Sequence, residues 1–262
     1  MNLTWMGNAS FLLESGGERI LFDPFVELSG GEVPITLDEF YPYDTIFVTH
    51  CHFDHVSFVS DLCEEADPTV FCTRQCCDTL EEFLDSGSQL VEIHPGRSYE
   101  LWEEGYEGVR ISVLRAKHIE FRCRYALDTL SPFRVLRYIK NLPFLLWANH
   151  AYKENGEIVA FDVKGEGKEL LLLGSLALDP EETYPEGVDV LVLPYQGSND
   201  LPARAREVLE RIRPRRVVLS HFDNAFPPLS RSVDLRPFRK LLRDEFPDLQ
   251  VVKPSPFKPI RI

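Results

Sequence analysis

The stretch Thr49-His50-Cys51-His52-Phe53-Asp54-His55 crowds four potential metal ligands into six positions, in a chain with seven histidines in all. Imidazole nitrogens and carboxylate oxygens suit borderline divalent cations such as zinc, and hydrolytic sites leave one position open for water. The stretch follows the β-branched and aromatic run Thr45-Ile46-Phe47-Val48, itself preceded by a turn-like Tyr-Pro-Tyr-Asp. That run predicts a buried strand. In extended chain a period of two sends His50, His52 and Asp54 to one side and Cys51 to the other, whereas a helix would turn His52 away. The motif is therefore expected at a strand end, with His55 brought round by a tight turn into a helix over residues 56–63. Two ions fit better than one, with two imidazoles for the first and a carboxylate plus an imidazole for the second. The competing reading is chance clustering in a turn, which the density of the motif in a histidine-poor chain disfavours.

The elements that must carry these residues alternate. Short strands with tight turns open the chain, from Leu3 through the Ser15-Gly16-Gly17 turn to Phe22. Residues 26–43 read as a surface loop. After the motif, helix and strand alternate through residues 69–93, and apolar strands at 158–163, 170–173, 188–193 and 215–219 alternate with helices at 203–212 and 235–246. This rhythm signals an α/β fold. With 262 residues, 44% of them apolar, and no low-complexity linker, one domain spanning 1–262 is expected.

At His50, His52, Asp54 and His55 the chain resembles the metallo-β-lactamase superfamily, whose HxHxDH signature these residues meet. Other landmarks follow in order. Ile20-Leu21-Phe22-Asp23-Pro24 is similar to the first family motif, which implies that Asp23 steadies the ligand loop from behind. His118 sits where the third histidine of the first metal site should be, and His221, after Val217-Val218-Leu219-Ser220, where the last histidine should be. The resemblance implies a four-layer αββα sandwich, with His50, His52 and His118 on one metal and Asp54, His55 and His221 on the other. One landmark departs: Ser175 stands after Gly174 where the family usually carries a bridging aspartate. A subclass with serine there holds each ion with three residues; Asp179 is a weaker candidate to replace the bridge, and an ordinary helix or turn carboxylate before Pro180 is the stronger reading of it. The implied cofactor is two zinc ions, with a single ion, Mn2+ or Fe2+ left open.

Residues 119–156 fit no standard landmark and read as a helical lid insertion, with a helix expected over 126–140. Between Arg115 and Lys140 seven basic residues face two acidic ones, against a net charge of −14 for the whole chain. Arg134 and Arg137 are accordingly the candidate contacts to an anionic small-molecule substrate; a solvated helix face explains the same charges. The run Phe144-Leu145-Leu146-Trp147 reads as core, a greasy pocket or a contact between copies of the chain. His94 and His150 read as structural. A net charge of −14 argues against nucleic acid as partner. No stretch reaches the length of a membrane span, no signal peptide is apparent, and the irregularly spaced cysteines read as reduced thiols, so a cytoplasmic protein without stable membrane insertion is expected. The chemistry expected is attack by a metal-activated water, oriented by Asp54, on an ester-type bond. The resemblance extends to a branch that includes L-ascorbate-6-phosphate lactonase and N-acylphosphatidylethanolamine phospholipase D, which implies a phosphodiester or a lactone. The alternatives are iron-dependent redox chemistry on the same fold and a metal-bound, non-catalytic scaffold.

Overall fold

The computed structural model describes residues 1–85, 87, 89–119, 131–153 and 155–262. Its first half builds β1 (Asn2–Gly7), β2 (Ser10–Ser15), β3 (Glu18–Phe22), β4 (Thr45–Phe47), β5 (Thr69–Cys72) and β6 (Leu90–Glu92). The second half builds β7 (Ser98–Leu101), β8 (Val109–Arg115), β9 (Val159–Gly165), β10 (Lys168–Leu173), β11 (Val190–Pro194), β12 (Arg216–Ser220) and β13 (Gln250–Val252). The last strand, β14 (Pro259–Arg261), returns to pair with β1. Two seven-stranded sheets result, in the orders β14-β1-β2-β3-β4-β5-β6 and β13-β12-β11-β10-β9-β8-β7.

Parallel neighbours need crossover connections, and amphipathic helices supply them. α1 (Phe53–Val56) and α2 (Val59–Ala66) link β4 to β5, and α3 (Arg74–Glu81) links β5 to β6. Between β8 and β9 lie α4 (Pro132–Arg137) and α5 (Leu142–Ala151), while α6 (Leu201–Ile212) and α7 (Arg236–Glu245) join β11, β12 and β13. Each crossover helix buries one stripe: Val59, Leu62 and Cys63 on α2, and Ala205, Val208, Leu209 and Ile212 on α6. α6 starts where Asp200 accepts a hydrogen bond from the Ala203 amide and stops at Arg213 in the left-handed region. The architecture is the α/β sandwich expected from the sequence.

Aromatic side chains fill the space between the sheets. Phe22 and Phe47 on β3 and β4 meet Phe161 on β9, Phe47 at 5.4 Å, and Phe47 also stacks on Phe71 of β5 at 4.4 Å. Phe47 is fully buried, and its burial stabilises the fold by about 1.5–3 kcal/mol before the ring contacts are counted. A hydrogen bond from the Val159 amide to the Thr49 carbonyl, 3.0 Å long, ties the second sheet to the motif itself.

The pairing directions gather six strand ends on one rim. β1, β3 and β4 run the same way in the first sheet, and β8, β10 and β12 do so in the second. Their C-terminal ends deliver, in order, Asn8, Asp23, His50, His118, Ser175 and His221. In sheets of this kind the loops beyond the carboxyl ends are where a site can form without disturbing the ladders.

Three expectations need correction. β4 stops at Phe47, so the motif lies beyond the strand: His50 to His52 are irregular backbone, and Asp54 and His55 sit on α1. A helical turn, with the His55 amide donating to the His52 carbonyl at 2.9 Å, aims Asp54 and His55 inward. Residues 26–43 are not a surface loop throughout, because Val33, Ile35 and Phe40 are buried in the core and residues Leu37–Glu39 form a 3-10 turn. Of the helix expected over 126–140, the described part runs from Pro132 to Arg137, and Leu127 and Leu130 lie outside the described residues.

Candidate metal centre

Six side chains on the rim form two triplets. One ligand atom each from His50, His52 and His118 lies within 4.8 Å of the others, and the same holds for Asp54, His55 and His221. Zinc–nitrogen bonds of about 2.0–2.1 Å at tetrahedral angles put neighbouring ligand atoms about 3.3 Å apart. His50 Nε2 to His52 Nδ1 is 3.1 Å, His55 Nε2 to His221 Nε2 is 3.2 Å, and Asp54 Oδ2 is 3.6 Å from His221 Nε2 and 3.8 Å from His55 Nε2. These separations are close to that spacing.

Partners on the far side of each ring fix which nitrogen faces inward. Thr49 Oγ1 donates its proton to Asp23 Oδ2 at 2.8 Å, so at 3.0 Å it accepts from His50 Nδ1 and leaves His50 Nε2 with a lone pair. His118 Nδ1 donates to the Ile119 carbonyl at 2.8 Å, freeing its Nε2. His55 Nδ1 donates to Asp23 Oδ2 at 2.9 Å, again freeing Nε2. Asp23, expected to steady the ligand loop, also accepts from the Thr49 amide at 2.7 Å and is buried.

Ser175 does not point a ligand at either triplet through the hydrogen bond it makes: its Oγ accepts from the Ile119 amide at 3.0 Å and braces the loop next to His118. The preceding Gly174 is required by packing, since a Cβ there would sit 2.5 Å from Thr49 Oγ1. Asp179 is a turn carboxylate, its Oδ1 accepting from the Glu181 amide. Cys51 points away from the ligands, with Sγ 3.5 Å from Thr79 Oγ1. The described cysteines are all buried and none is in a disulfide, and burial pushes Cys63 up to about 12.

Sequence reasoning missed Asn8, Glu27 and Asp223. Asn8 Nδ2 donates to the Asp54 carbonyl at 2.9 Å and to Asp54 Oδ2 at 3.4 Å, and the Asn8 carbonyl accepts from the His221 amide at 3.0 Å. Asp223 Oδ2 in turn accepts from the Asn8 amide at 3.0 Å. Glu27 lies beside Asp223; burial, then the hydrogen bond and charge of Asp223, push its carboxyl up to about 9. Asn8, Asp23 and His221 all adopt the left-handed region, with φ of 43°, 44° and 53°. For non-glycine residues this costs on the order of 1–3 kcal/mol each, and the surrounding hydrogen bonds hold it. The readable signal was the polar Gly7-Asn8 step between two apolar strands.

Electrostatics separate the triplets. Burial holds His50 well below the usual histidine range, lowers His52 to about 4 and lowers His118, so the first triplet is neutral and ready to ligate. In the second, burial would lower His55, but the Asp23 and Asp54 carboxylates outweigh it and raise its pKa. Burial would likewise raise Asp54, and His55, His221 and His52 together hold it well below the usual carboxylate range.

Residues 131–153 flank this rim. Phe144 stacks on Phe58 at 5.6 Å, and Arg134 Nη2 donates to the Ser230 carbonyl at 2.7 Å and to Asn224 Oδ1 at 3.4 Å, on the loop after His221. Arg137 is exposed beside Tyr138. His94 is exposed next to Glu92, and His150 is exposed on α5. No described helix is long and apolar enough to cross a membrane.

A family model described as a β-lactamase superfamily domain matches residues 18–222. A UPF0173 metal-dependent hydrolase of Opitutus terrae is 28% identical over 229 residues, covering 86% of each chain. Igni18, a metallo hydrolase of Ignicoccus hospitalis, matches in structure with a TM-score of 0.64 and 18% identity, over 99% of this chain and 97% of its own. CmlA, a diiron β-hydroxylase of Streptomyces venezuelae, matches with a TM-score of 0.62 and 13% identity, over 100% of this chain and 54% of its own.

Proposed function

This chain belongs to the metallo-β-lactamase superfamily, and on that premise we propose that it is a metal-dependent hydrolase acting on an ester-type bond. The observation that carries the reading is the pair of convergent ligand triplets on one rim. When bound, two divalent cations supply a water whose pKa falls toward about 7 and withdraw charge from the bond under attack. The residues supply the rest. His50, His52 and His118 would hold one ion and Asp54, His55 and His221 the other, with zinc the reading that the nitrogen-rich donor set favours. Asp54, kept ionised by its histidine neighbours, accepts a hydrogen bond from the attacking water and so orients it. Asp23 holds the His55 ring in register behind it.

The substrate we propose is a phosphodiester or lactone of an anionic small molecule. Arg134 is committed to the loop after His221, which leaves Arg137 as the exposed cation for an anionic group. The described cysteines, buried and outside any disulfide, are compatible with a reducing, cytoplasmic setting. The test is a panel of phosphodiesters and lactones with the metal-loaded protein, before and after chelation. Hydrolysis that chelation stops and zinc restores supports the reading, and Arg137→Gln should raise KM for the anionic members alone. The same donor set also suits iron, as in the fold neighbour that is a diiron hydroxylase. Iron in the purified protein with oxygen consumption and no hydrolysis would replace the hydrolase reading.

A further inference from the structure

Residues 131–153 carry Arg134, Arg137, Lys140 and Lys153 and no acidic residue, in a chain whose net charge is −14. The remainder of the chain is therefore at −18, from −14 minus the segment's +4. The segment is firmly seated. Leu145 and Ala148 of α5 are buried, Phe144 stacks on Phe58, and Arg134 is tied to Ser230. Its outward side is nonetheless greasy. Phe133, Leu136, Ile139, Leu146 and Trp147 are 74%, 69%, 55%, 73% and 46% exposed. They are ordered by helical spacing: Phe133, Leu136 and Arg137 stand at i, i+3 and i+4 on α4, and Pro143, Leu146 and Trp147 at i, i+3 and i+4 on α5. Five of the eight exposed large hydrophobic side chains described fall within these fifteen residues, so this is a patch and not scatter.

We propose that the outward face of this segment docks on an anionic lipid bilayer surface. Exposed leucine, isoleucine, phenylalanine and tryptophan within one short segment, with flanking arginine and lysine and no acid, match what partitions into the headgroup and acyl boundary. The long stems of Arg137 and Lys140 lie along apolar surface while their heads reach lipid phosphates. Charge decides against a second copy. A two-fold contact would set one +4 segment against another, whereas an anionic bilayer neutralises it. The helices lie on the surface without spanning it, in keeping with the absence of a described membrane-crossing helix. The inference shares Arg137 with the proposed substrate contact but does not rest on hydrolysis, and its test needs no turnover.

The experiment is cosedimentation of the full, metal-loaded chain with vesicles of phosphatidylcholine, alone or mixed with phosphatidylglycerol. Each surface cation near an anionic bilayer is worth about fivefold in binding, so the mixed vesicles should bind at least about tenfold tighter. Arg137→Glu with Lys140→Glu should lose at least about tenfold on mixed vesicles, and Leu136→Ser with Leu146→Ser, both largely exposed, should abolish binding while the melting curve stays that of wild type. Raising salt to about 1 M, where the screening length is about 3 Å, should release the wild-type protein and needs no variant. In a Trp102→Phe background, a blue shift of Trp147 fluorescence should accompany binding, since the remaining Trp5 is buried. Absence of vesicle binding, or equal binding to both compositions unaffected by salt, overturns the proposal. So does a dimer in solution that Leu136→Ser with Leu146→Ser dissolves while vesicles bind nothing; that result would seat a second copy on the face instead.

Discussion

The two ligand triplets are built from nearly the same chemistry but are held in opposite ways. His50, His52 and His118 are three imidazoles kept neutral by burial, and two of them are oriented by short-range partners, Thr49 Oγ1 and the Ile119 carbonyl. Asp54, His55 and His221 sit in a web drawn from across the chain. Asp23 grips His55, Asn8 grips Asp54 and the His221 amide, and Asp223 grips Asn8 over a separation of 215 positions. The first triplet is neutral, with ring partners next to it in sequence; the second is charged, with ring and carboxylate partners remote in sequence. Its lasting hydrogen bonds cost the backbone three left-handed residues, Asn8, Asp23 and His221. The difference teaches that a rim can concentrate left-handed backbone and carboxylates around one set of candidate ligands and leave the other set as neutral imidazoles.

Substitutions should break that comparison in a graded order. Asp54→Ala should have the largest effect, abolishing turnover and emptying the second triplet while the first keeps its ion; retention of both ions by elemental analysis would show that Asp54 is not a ligand. Asp23→Ala should weaken metal at the second triplet by roughly 10–100-fold, as loss of such a supporting carboxylate commonly does. Competitive chelator titration measures this, and an equal loss at both triplets would mean that Asp23 acts through Thr49 and not through His55.

The pH dependence sharpens the contrast. In the metal-free protein a raised pKa on His55 means a proton must be displaced before an ion binds, over and above the ordinary histidine range. The lowered values of the first triplet, about 4 for His52, leave those nitrogens proton-free well below that range. Acidification from pH 8 should therefore empty the second triplet before the first, followed with cobalt as a spectroscopic substitute. Simultaneous loss would contradict the electrostatic difference. The smallest effect belongs to Ser175→Ala. It leaves the Ile119 amide without its acceptor, costs about 1 kcal/mol of stability in denaturant titration and disturbs only the first triplet, through His118.

Residue type and spacing carried much of this into the sequence. The crowding of His50, His52, Asp54 and His55 announced the centre, and the apolar runs before Asp23 and His221 announced the strands that deliver them. The local backbone of the motif was not legible, because a strand of three residues ended before alternation could be applied, and a helical turn took over at Phe53. Residues 26–43 hid their burial because Val33, Ile35 and Phe40 follow neither strand nor helix period. Asn8, Glu27 and Asp223 were invisible for a different reason. Their roles are hydrogen bonds between residues remote in sequence, and single polar residues at strand ends carry no periodic mark.

The most direct test is the metal content of the protein purified without added metal, compared with His118→Ala and His221→Ala. The account predicts about two ions per chain in the wild type and about one in each variant, with the survivor in the opposite triplet each time. One ion in the wild type, or loss of all metal on either substitution, would contradict two independently held sites.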